Sequence, residues 1–218
     1  MKKLRLFSVL LCGFALLGLN SCLDSDDDYV ELTAEQKEAQ FKMVQGLHYG
    51  RAIYVAKNAD NPQDQTDTLE CTFNIGIDYD TENDMNYYSL YIQDLPISVI
   101  AENMGSGEQK EAMKTALDVP LRSYIDFVYS DNAAVKALWY IIPAMAEVNL
   151  NYGGSLHKLQ VYFDANYCQG AYGTVNNSEG SKKDQIQIIL TATGIYEDNK
   201  LTAWLQRPVT ILLEADVY

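Results

Sequence analysis

The clearest pattern along the chain is a strict alternation of apolar and polar side chains in Leu69–Ile77, where every odd position is apolar and every even position is polar or glycine. Successive side chains of a strand point to opposite faces, so this period of two predicts a strand with one buried face. Asn86–Gln93 alternates in the same way beyond an acidic turn at 78–85. We therefore expect a meander in which Tyr87 and Tyr91 share the face opposite the core-forming side chains.

The C-terminal half of the chain shows the same alternation and predicts further antiparallel strands. Lys158–Phe163 alternates, and a glycine- and asparagine-rich loop is expected over Gly170–Lys183. Gln185–Tyr196 and Leu201–Val217 should form a hairpin about the turn 197–200. This half of the chain is therefore expected to be mainly sheet.

Three shorter segments have weaker patterns. Arg51–Lys57 and Arg122–Tyr129 have the length and the apolar content of strands. Ala137–Ile142 is a continuous apolar run stopped by Pro143, and periodicity does not separate a buried strand from a helix there. Both assignments stay open for this run.

Two regions carry helical signals. Thr33 and Gln36 have the spacing of a capping box, which predicts a helix from there to about Val44. Residues 96–118 predict one or two further helices. The apolar face of the second of these would consist of Ala112, Met113 and Leu117.

Most predicted elements are strands without intervening helices, which favours a mainly β, α+β fold. The expected architecture is an antiparallel sheet forming a sandwich or a barrel-like core, with the N-terminal helix and the helices near 96–118 packed against a face or an end. No Pro/Gly/Ser linker divides residues 33–218, so we expect a single β-rich domain there.

The first residues look like an export signal. Lys2, Lys3 and Arg5 precede the apolar run Leu6–Leu19, which is shorter than the roughly 20 residues that a helix needs to cross a bilayer. The segment Leu19–Cys22 resembles the bacterial lipobox. This resemblance implies a signal peptide over residues 1–21, cleavage before Cys22, and membrane attachment through acyl chains on that cysteine. Ordinary cleavage with an incidental cysteine is the alternative.

The lipobox is followed by an acidic tether, residues 22–32, in which Leu23–Asp28 resembles the surface-export signal of Bacteroidetes lipoproteins. That resemblance implies an outer-membrane location facing the exterior. The physical alternative is a solvated spacer, since clustered carboxylates repel one another.

Removing residues 1–21 takes away three basic residues and no acidic one, so the formal net charge falls from −14 to −17. Such a surface excludes nucleic acid as a partner.

Two cysteines remain after Cys12 leaves with the signal and Cys22 is acylated. A disulfide between Cys71 and Cys168 fits an extracytoplasmic protein. Cys71 also lies on the apolar face of its strand, where a free thiol behaves as a small hydrophobic side chain. Both states stay open.

The sequence predicts neither a metal nor a cofactor. The loop 78–84 starts with the spacing of a calcium-binding loop, but Asn83 and Ser89 stand where glycine and glutamate are required. A solvated hairpin turn is therefore favoured. His48 and His157 lie far in sequence from both cysteines, which argues against a structural zinc site.

No catalytic motif is present, which favours a protein that is not an enzyme and leaves an enzyme as the open alternative. Neither histidine has a nucleophile or carboxylate placed beside it by the sequence. A glycosidase pair of carboxylates depends on the fold and could involve any of the 30 acidic residues.

Tyrosine is the most abundant side chain with binding potential. Tyr87 and Tyr91 could stack on sugar rings, or they could simply suit a half-exposed strand. Thr68, in the sequence Asp67-Thr68-Leu69, resembles the three-residue O-glycosylation signal of Bacteroidetes.

The whole arrangement, a lipobox followed by an acidic tether and one acidic β-rich domain, resembles the uncharacterised domain-of-unknown-function lipoproteins of gut Bacteroidetes. The resemblance carries no activity and no site residues. The function expected is non-catalytic recognition of a glycan or an envelope protein. The alternatives are a glycan-active hydrolase with an unrecognised carboxylate pair and a structural subunit of an envelope assembly.

Overall fold

The computed structural model describes residues 31–55, 66–176 and 182–217. The predicted signal peptide, the predicted lipidation site Cys22 and most of the tether lie outside the described residues.

The first element is helix α1, Ala34–Val44, which begins at the predicted capping box. The Thr33 N–H donates to Gln36 Oε1 at 2.8 Å, and the Gln36 N–H donates to Thr33 Oγ1 at 3.3 Å. Phe41 and Val44 form the buried face of the helix. The predicted helix is therefore confirmed.

The strands of the described residues form one sheet, and adjacent strands are antiparallel. They are β1 Gly46–Val55, β2 Thr66–Asp80, β3 Met85–Leu95, β4 Val119–Val128, β5 Val135–Pro143, β6 Ala146–Tyr152, β7 Ser155–Phe163, β8 Gln169–Asn176, β9 Lys182–Glu197, β10 Lys200–Leu201 and β11 Val209–Val217. The helical segments besides α1 are a 3₁₀ helix at Ile97–Asn103, helix α2 at Glu108–Lys114 and a 3₁₀ turn at Ala165–Tyr167.

Eight of these strands close into a barrel. The order β1-β2-β3-β4-β5-β8-β9-β11 returns to β1, because β11 pairs with both β9 and β1. The hairpin β6–β7 is not part of the ring and joins it through β7, which pairs with the last residues of β9. The predicted β-rich α+β fold is confirmed, and its core is a barrel.

Alternate side chains of each barrel strand point inward and fill the interior. Those on β9 are Ile186, Ile188 and Leu190, all fully buried, and they join a single apolar cluster with the inward side chains of the other strands. This burial supplies most of the stabilisation, at about 25 cal/mol for each Å² of apolar surface removed from water.

The two ends of the barrel are closed differently. At one end α1 lies against β4 and β5, and the Phe41 ring packs on Tyr88, with ring centroids 4.8 Å apart. The other end is covered by the 3₁₀ helix, α2 and the β6–β7 hairpin, with Ile100, Met104 and Met113 fully or almost fully buried.

The predicted hairpin about 197–200 is confirmed, with one interruption. Asp198 and Asn199 have φ values of 49° and 61°, as a two-residue type I′ turn requires, and Lys200 pairs with Glu197. The chain then leaves the sheet and returns at β11, which pairs with the earlier part of β9.

The predicted loop over Gly170–Lys183 was wrong in its first half, because Gly170–Asn176 belongs to strand β8, and at its end, because Lys182 and Lys183 begin β9. Residues 177–181 lie outside the described residues. The glycines of β8 allow close packing. A Cβ at Gly170 would lie 2.2 Å from the indole of Trp139, and a Cβ at Gly173 would lie 2.3 Å from the carbonyl oxygen of Ala134. Glycine in a strand here marks close approach by neighbouring groups rather than a loop.

Two further segments differ from expectation or resolve an alternative. Helix α2 ends at Lys114, so Leu117 lies beyond it and is 84% exposed instead of sharing the buried face of Met113. The run Ala137–Ile142 is strand β5, in which Trp139 and its alternate neighbours are buried while Tyr140 is exposed.

Candidate functional site

One part of the barrel exposes large aromatic side chains to solvent. They alternate with inward residues of β3, β4 and β5, which confirms that Tyr87 and Tyr91 lie opposite the core face. We refer to this surface as the aromatic wall, and it consists of Tyr87, Tyr91, Arg122, Tyr124, Tyr140 and Ile142.

The centre of the aromatic wall is a pair of stacked tyrosines. The ring centroids of Tyr87 and Tyr124 are 4.0 Å apart at an interplanar angle of 31°. Tyr124 lies opposite Ser89 on β3, so it meets Tyr87 diagonally across the two strands. Tyr124 is 45% exposed, so this pair remains accessible to a ligand.

Arg122 is held in place beside the tyrosine pair. Its guanidinium forms an ion pair with Asp78 and lies 5.5 Å from the centroid of the Tyr91 ring. Its positive charge is therefore balanced within the wall, while its planar group covers an aromatic face.

Carboxylates surround the aromatic wall. Burial raises the pKa of Tyr124, with a further contribution from Asp80 and smaller ones from Tyr87 and Glu82. Asp126, on the same strand as Tyr124, accepts a hydrogen bond from Lys37 of α1 at 2.6 Å. The wall thus combines aromatic faces with hydrogen-bond acceptors and a single neutralised guanidinium.

The acidic loop 78–84 folds as a hairpin turn. Asp80 Oδ1 accepts hydrogen bonds from the backbone N–H groups of Glu82 and Asn83, and Asp80 Oδ2 accepts one from Asn83 Nδ2. The bond from the Asn83 side chain is the main cause of the lowered pKa of Asp80. Among the described residues, no cluster of three or more His, Cys, Asp or Glu side chains is arranged to hold a metal ion.

The two histidines lie at opposite ends of the barrel. His48 Nε2 is 2.8 Å from the carbonyl oxygen of Val44 and its ring packs near Phe73, and burial lowers its pKa. His157 lies in the β6–β7 hairpin, where Nδ1 is 2.6 Å from Glu197 Oε1. This carboxylate lies 40 positions away in the chain, so no local pattern in the sequence pointed to it.

Cys71 and Cys168 are free, buried thiols, so the disulfide left open by the sequence is not formed in the structure. Burial, with a contribution from Asp94, raises the pKa of Cys71 to about 12, and burial raises that of Cys168 to about 11. A thiol attacks as the thiolate, so both groups are poor nucleophiles.

Asp94 and Asp118 are two carboxylates that influence each other, at an irregularity between β3 and β4. Burial and then the Asp94 charge raise the pKa of Asp118. Asp94 Oδ1 accepts the N–H of Thr72 at 2.6 Å, which ties this carboxylate to the neighbouring strand. No pattern in the sequence could locate this pair, because only the pairing of β3 with β4 brings the two residues together.

Thr68 lies within strand β2, opposite Ile53 of β1, and is exposed. Its N–H donates to Asp67 Oδ1 at 2.8 Å. O-glycosylation at Thr68 stays a prediction, and the residue lies in a strand.

The opposite side of the barrel has buried polar groups on its outer face. Glu214 of β11 accepts from Arg51 Nη2 at 2.8 Å and from Gln187 Nε2 at 3.3 Å. Gln185 and Asp216 continue this network along the strands. We refer to this surface as the polar wall, and it consists of Arg51, Lys183, Gln185, Gln187, Glu214 and Asp216.

No described helix combines the length and apolar character needed to span a bilayer.

Comparison with known proteins gave one family and no individual relative, since neither the curated proteins nor the solved structures contain a match. Residues 43–197 match a domain of unknown function, DUF4840, and this range includes the whole aromatic wall together with His157 and Glu197. The chain therefore belongs to the family of DUF4840 domain proteins.

Proposed function

We propose that this chain is a lipid-anchored outer-membrane protein, displayed outward, whose barrel recognises a glycan through the aromatic wall without catalysing a reaction. The observation that carries this proposal is the stacked Tyr87–Tyr124 pair beside Arg122, in which Tyr124 is exposed and Tyr87 is half-buried. Large exposed aromatic groups are costly to leave in water, and contiguous ones mark interaction surfaces.

The interior of the barrel supports the outer wall as the binding surface. Phe73, Phe127 and Trp139 are fully or almost fully buried within one apolar cluster, so side chains occupy the volume where a barrel ligand would otherwise lie. The exposed rings of the wall remain available to a ligand.

The chemistry of the wall favours a neutral sugar. The apolar face of a pyranose can pack on a tyrosine ring, and its hydroxyl groups can donate to carboxylates such as Asp78 and Asp126. An acidic glycan would meet the same carboxylates, and the formal net charge of −17 that remains without residues 1–21 repels it further.

The anchor is supported by the sequence. Cys22 follows a signal-like apolar run, and the acidic tether leads to Leu32 at the start of the folded domain. Ten extended residues reach about 35 Å, so the domain would stay close to the membrane that holds its acyl chains. Several acyl chains give effectively stable attachment, since each buried CH₂ contributes about 0.8 kcal/mol.

The experiment that tests recognition is a glycan array probed with residues 23–218, scored for both binding and product release. Binding without turnover of neutral glycans supports the proposal. Release of product would contradict it and direct attention to carboxylates such as Asp94 and Asp118. In the same assay, Tyr124→Ala removes one ring of the stacked pair. Its matched control is Tyr162→Ala, because Tyr162 is an exposed strand tyrosine on β7, outside the wall.

The anchor needs its own test in cells. Metabolic labelling with a palmitate analogue should mark the wild-type protein and leave Cys22→Ala unlabelled, and protease added to intact cells should digest the displayed domain. An unlabelled wild-type protein would contradict lipidation, whereas protection in intact cells alongside digestion in lysed cells would contradict outward display.

An envelope-protein partner is the second candidate, favoured by the tip of the β2–β3 hairpin. Ile77 and Met85 are exposed there, and β2 runs past the point where its pairing with β1 ends at Ile75. Exposed apolar side chains beside a free strand edge are suited to protein contacts. If no glycan on the array binds, an envelope-protein partner becomes the favoured proposal.

A further inference from the structure

The β6–β7 hairpin is fastened to the end of β9 by a compact polar cluster. Tyr152 Oη donates to Glu197 Oε1 at 2.6 Å, and His157 Nδ1 lies 2.6 Å from the same oxygen. The rings of Tyr152 and His157 are stacked, with centroids 3.8 Å apart at 11°. The other ring nitrogen, His157 Nε2, lies 3.2 Å from the carbonyl oxygen of Tyr152.

Both ring nitrogens of His157 therefore face acceptors. A neutral imidazole carries one N–H, so it can satisfy either the Glu197 carboxylate or the Tyr152 carbonyl and must turn a lone pair towards the other. An imidazolium carries two N–H groups and donates to both. Histidine is the side chain that ordinarily changes charge between pH 5 and 8.

Charged groups from the neighbouring elements surround this cluster. Glu108 of α2 accepts the N–H of Gly153 at 2.7 Å, and Lys158 is paired with Glu147 at 2.8 Å. Two further charged groups lie near it, namely Lys200, which is opposite Glu197 in the β9–β10 register, and Asp198, whose charge acts on Tyr152. The Trp204 ring packs edge-on against Tyr152, with centroids 6.0 Å apart.

We propose that the His157–Glu197–Tyr152 cluster is a proton-dependent clasp that holds the β6–β7 hairpin on β9 most firmly in mildly acidic conditions. The barrel ring closes through β8, β9 and β11 without this hairpin, so the hairpin can loosen while the barrel stays closed. The apolar side chains of the hairpin, such as Val148, Leu159 and Val161, still pack in the common core cluster. The clasp is therefore expected to change how often the hairpin opens locally, and not whether it is folded.

The pH limits follow from the two partners. The hydrogen bond from Tyr152, and then that from His157, lowers the pKa of Glu197, so its contribution is present above the ordinary range of a carboxyl group and is lost as pH falls through the lowered value. Burial raises the pKa of Tyr152, which stays a donor throughout. The clasp is therefore strongest where the imidazole is protonated and the Glu197 carboxyl group is ionised, so that both ring N–H groups have acceptors.

Backbone hydrogen exchange of the intact protein tests this directly. After correction for intrinsic rates, amides of 146–152 and 155–163 should be about fivefold better protected at pH 5.5 than at pH 8, the factor expected from one net hydrogen bond. Amides of β3 and β4 in the same sample serve as the reference for global opening.

His157→Asn should remove this pH difference, because asparagine does not titrate. Glu197→Gln should remove it as well and serves as the second variant if the first folds poorly. His48→Asn, at the other end of the barrel, should keep it. Equal protection of the wild-type hairpin at both pH values, or an unchanged difference in folded His157→Asn, would overturn the clasp.

Discussion

The aromatic wall and the polar wall are outer faces of the same barrel, yet they treat side chains in opposite ways. On the aromatic wall Tyr124, Tyr140 and Ile142 are exposed, although burial would stabilise them. On the polar wall the Glu214 side chain is 1% exposed, although a charged group is costly to bury. Hydrophobicity alone would predict the reverse arrangement.

The difference lies in the partners available on each wall. The polar wall satisfies its own groups: Arg51 neutralises Glu214, and Gln187 bonds to both Glu214 and Gln185. Buried polar groups are tolerated when they are paired in this way. The aromatic wall keeps accessible tyrosine rings, which is why we propose recognition there and a structural role for the polar wall.

The largest expected effect comes from breaking the ion pair of the polar wall. Arg51→Met leaves the buried Glu214 carboxylate without its cation, so the free energy of unfolding should fall by about 2–4 kcal/mol in urea titrations. The control Lys158→Met removes a pair that is exposed on both sides and should change stability by less than about 0.5 kcal/mol. Equal losses in the two variants would show that the polar wall is not structural.

A smaller effect is expected from the amide at the centre of the same network. Gln187→Leu removes the hydrogen bonds to Gln185 and Glu214 while keeping the volume, and should cost about 1–2 kcal/mol of unfolding free energy. Gln160→Leu is the matched control, since its bond to Glu147 is exposed. A control variant that loses as much stability as Gln187→Leu would contradict the prediction.

The aromatic wall should respond in the opposite sense. Tyr124→Ala removes one ring of the stacked pair and should cost no more than about 1 kcal/mol of stability. Glycan affinity should fall at least about tenfold, which corresponds to about 1.4 kcal/mol of binding free energy. Isothermal titration together with thermal unfolding measures both quantities, and a large loss of stability would place Tyr124 with the structural residues instead.

The smallest expected effect concerns the stability of the fold at acid pH. The hydrogen bonds from Lys183 and Gln185 lower the pKa of Asp216 against the opposing effect of burial. A carboxylate with a lowered pKa stabilises the fold above its ordinary range, and this contribution is lost as pH falls through the lowered value. Asp216→Asn should therefore lose less stability than the wild type between about pH 5 and 2. If the free energy of unfolding, measured in urea at several pH values, falls equally for both proteins towards low pH, Asp216 does not contribute to the acid sensitivity.

Local patterns predicted the elements whose signals are local. The alternation in Leu69–Ile77 identified β2, the capping box of Thr33 identified α1, and the outward direction of Tyr87 and Tyr91 followed from the period of two. Strand β8 was missed because its glycines were interpreted as loop residues. The reason for Gly170 is the indole of Trp139, which lies 31 positions earlier in the chain.

The two walls depend on register, which the sequence does not display. Tyr124 meets Tyr87 only because β3 and β4 pair with Ser89 opposite Tyr124. Arg51 and Glu214 are separated by 163 positions and become neighbours only when β11 closes the barrel against β1. Carboxylates are numerous in this chain, so no composition argument could have selected Glu214 as the buried one.

The measurement that tests the central claim most directly presents a panel of neutral and acidic glycans to the wild type, Tyr124→Ala and Tyr162→Ala, each shown to be folded by circular dichroism. We expect neutral glycans to bind the wild type and Tyr162→Ala and to lose binding to Tyr124→Ala. Binding that survives in Tyr124→Ala, or a wild type that binds none of the panel, would contradict recognition of glycans by the aromatic wall.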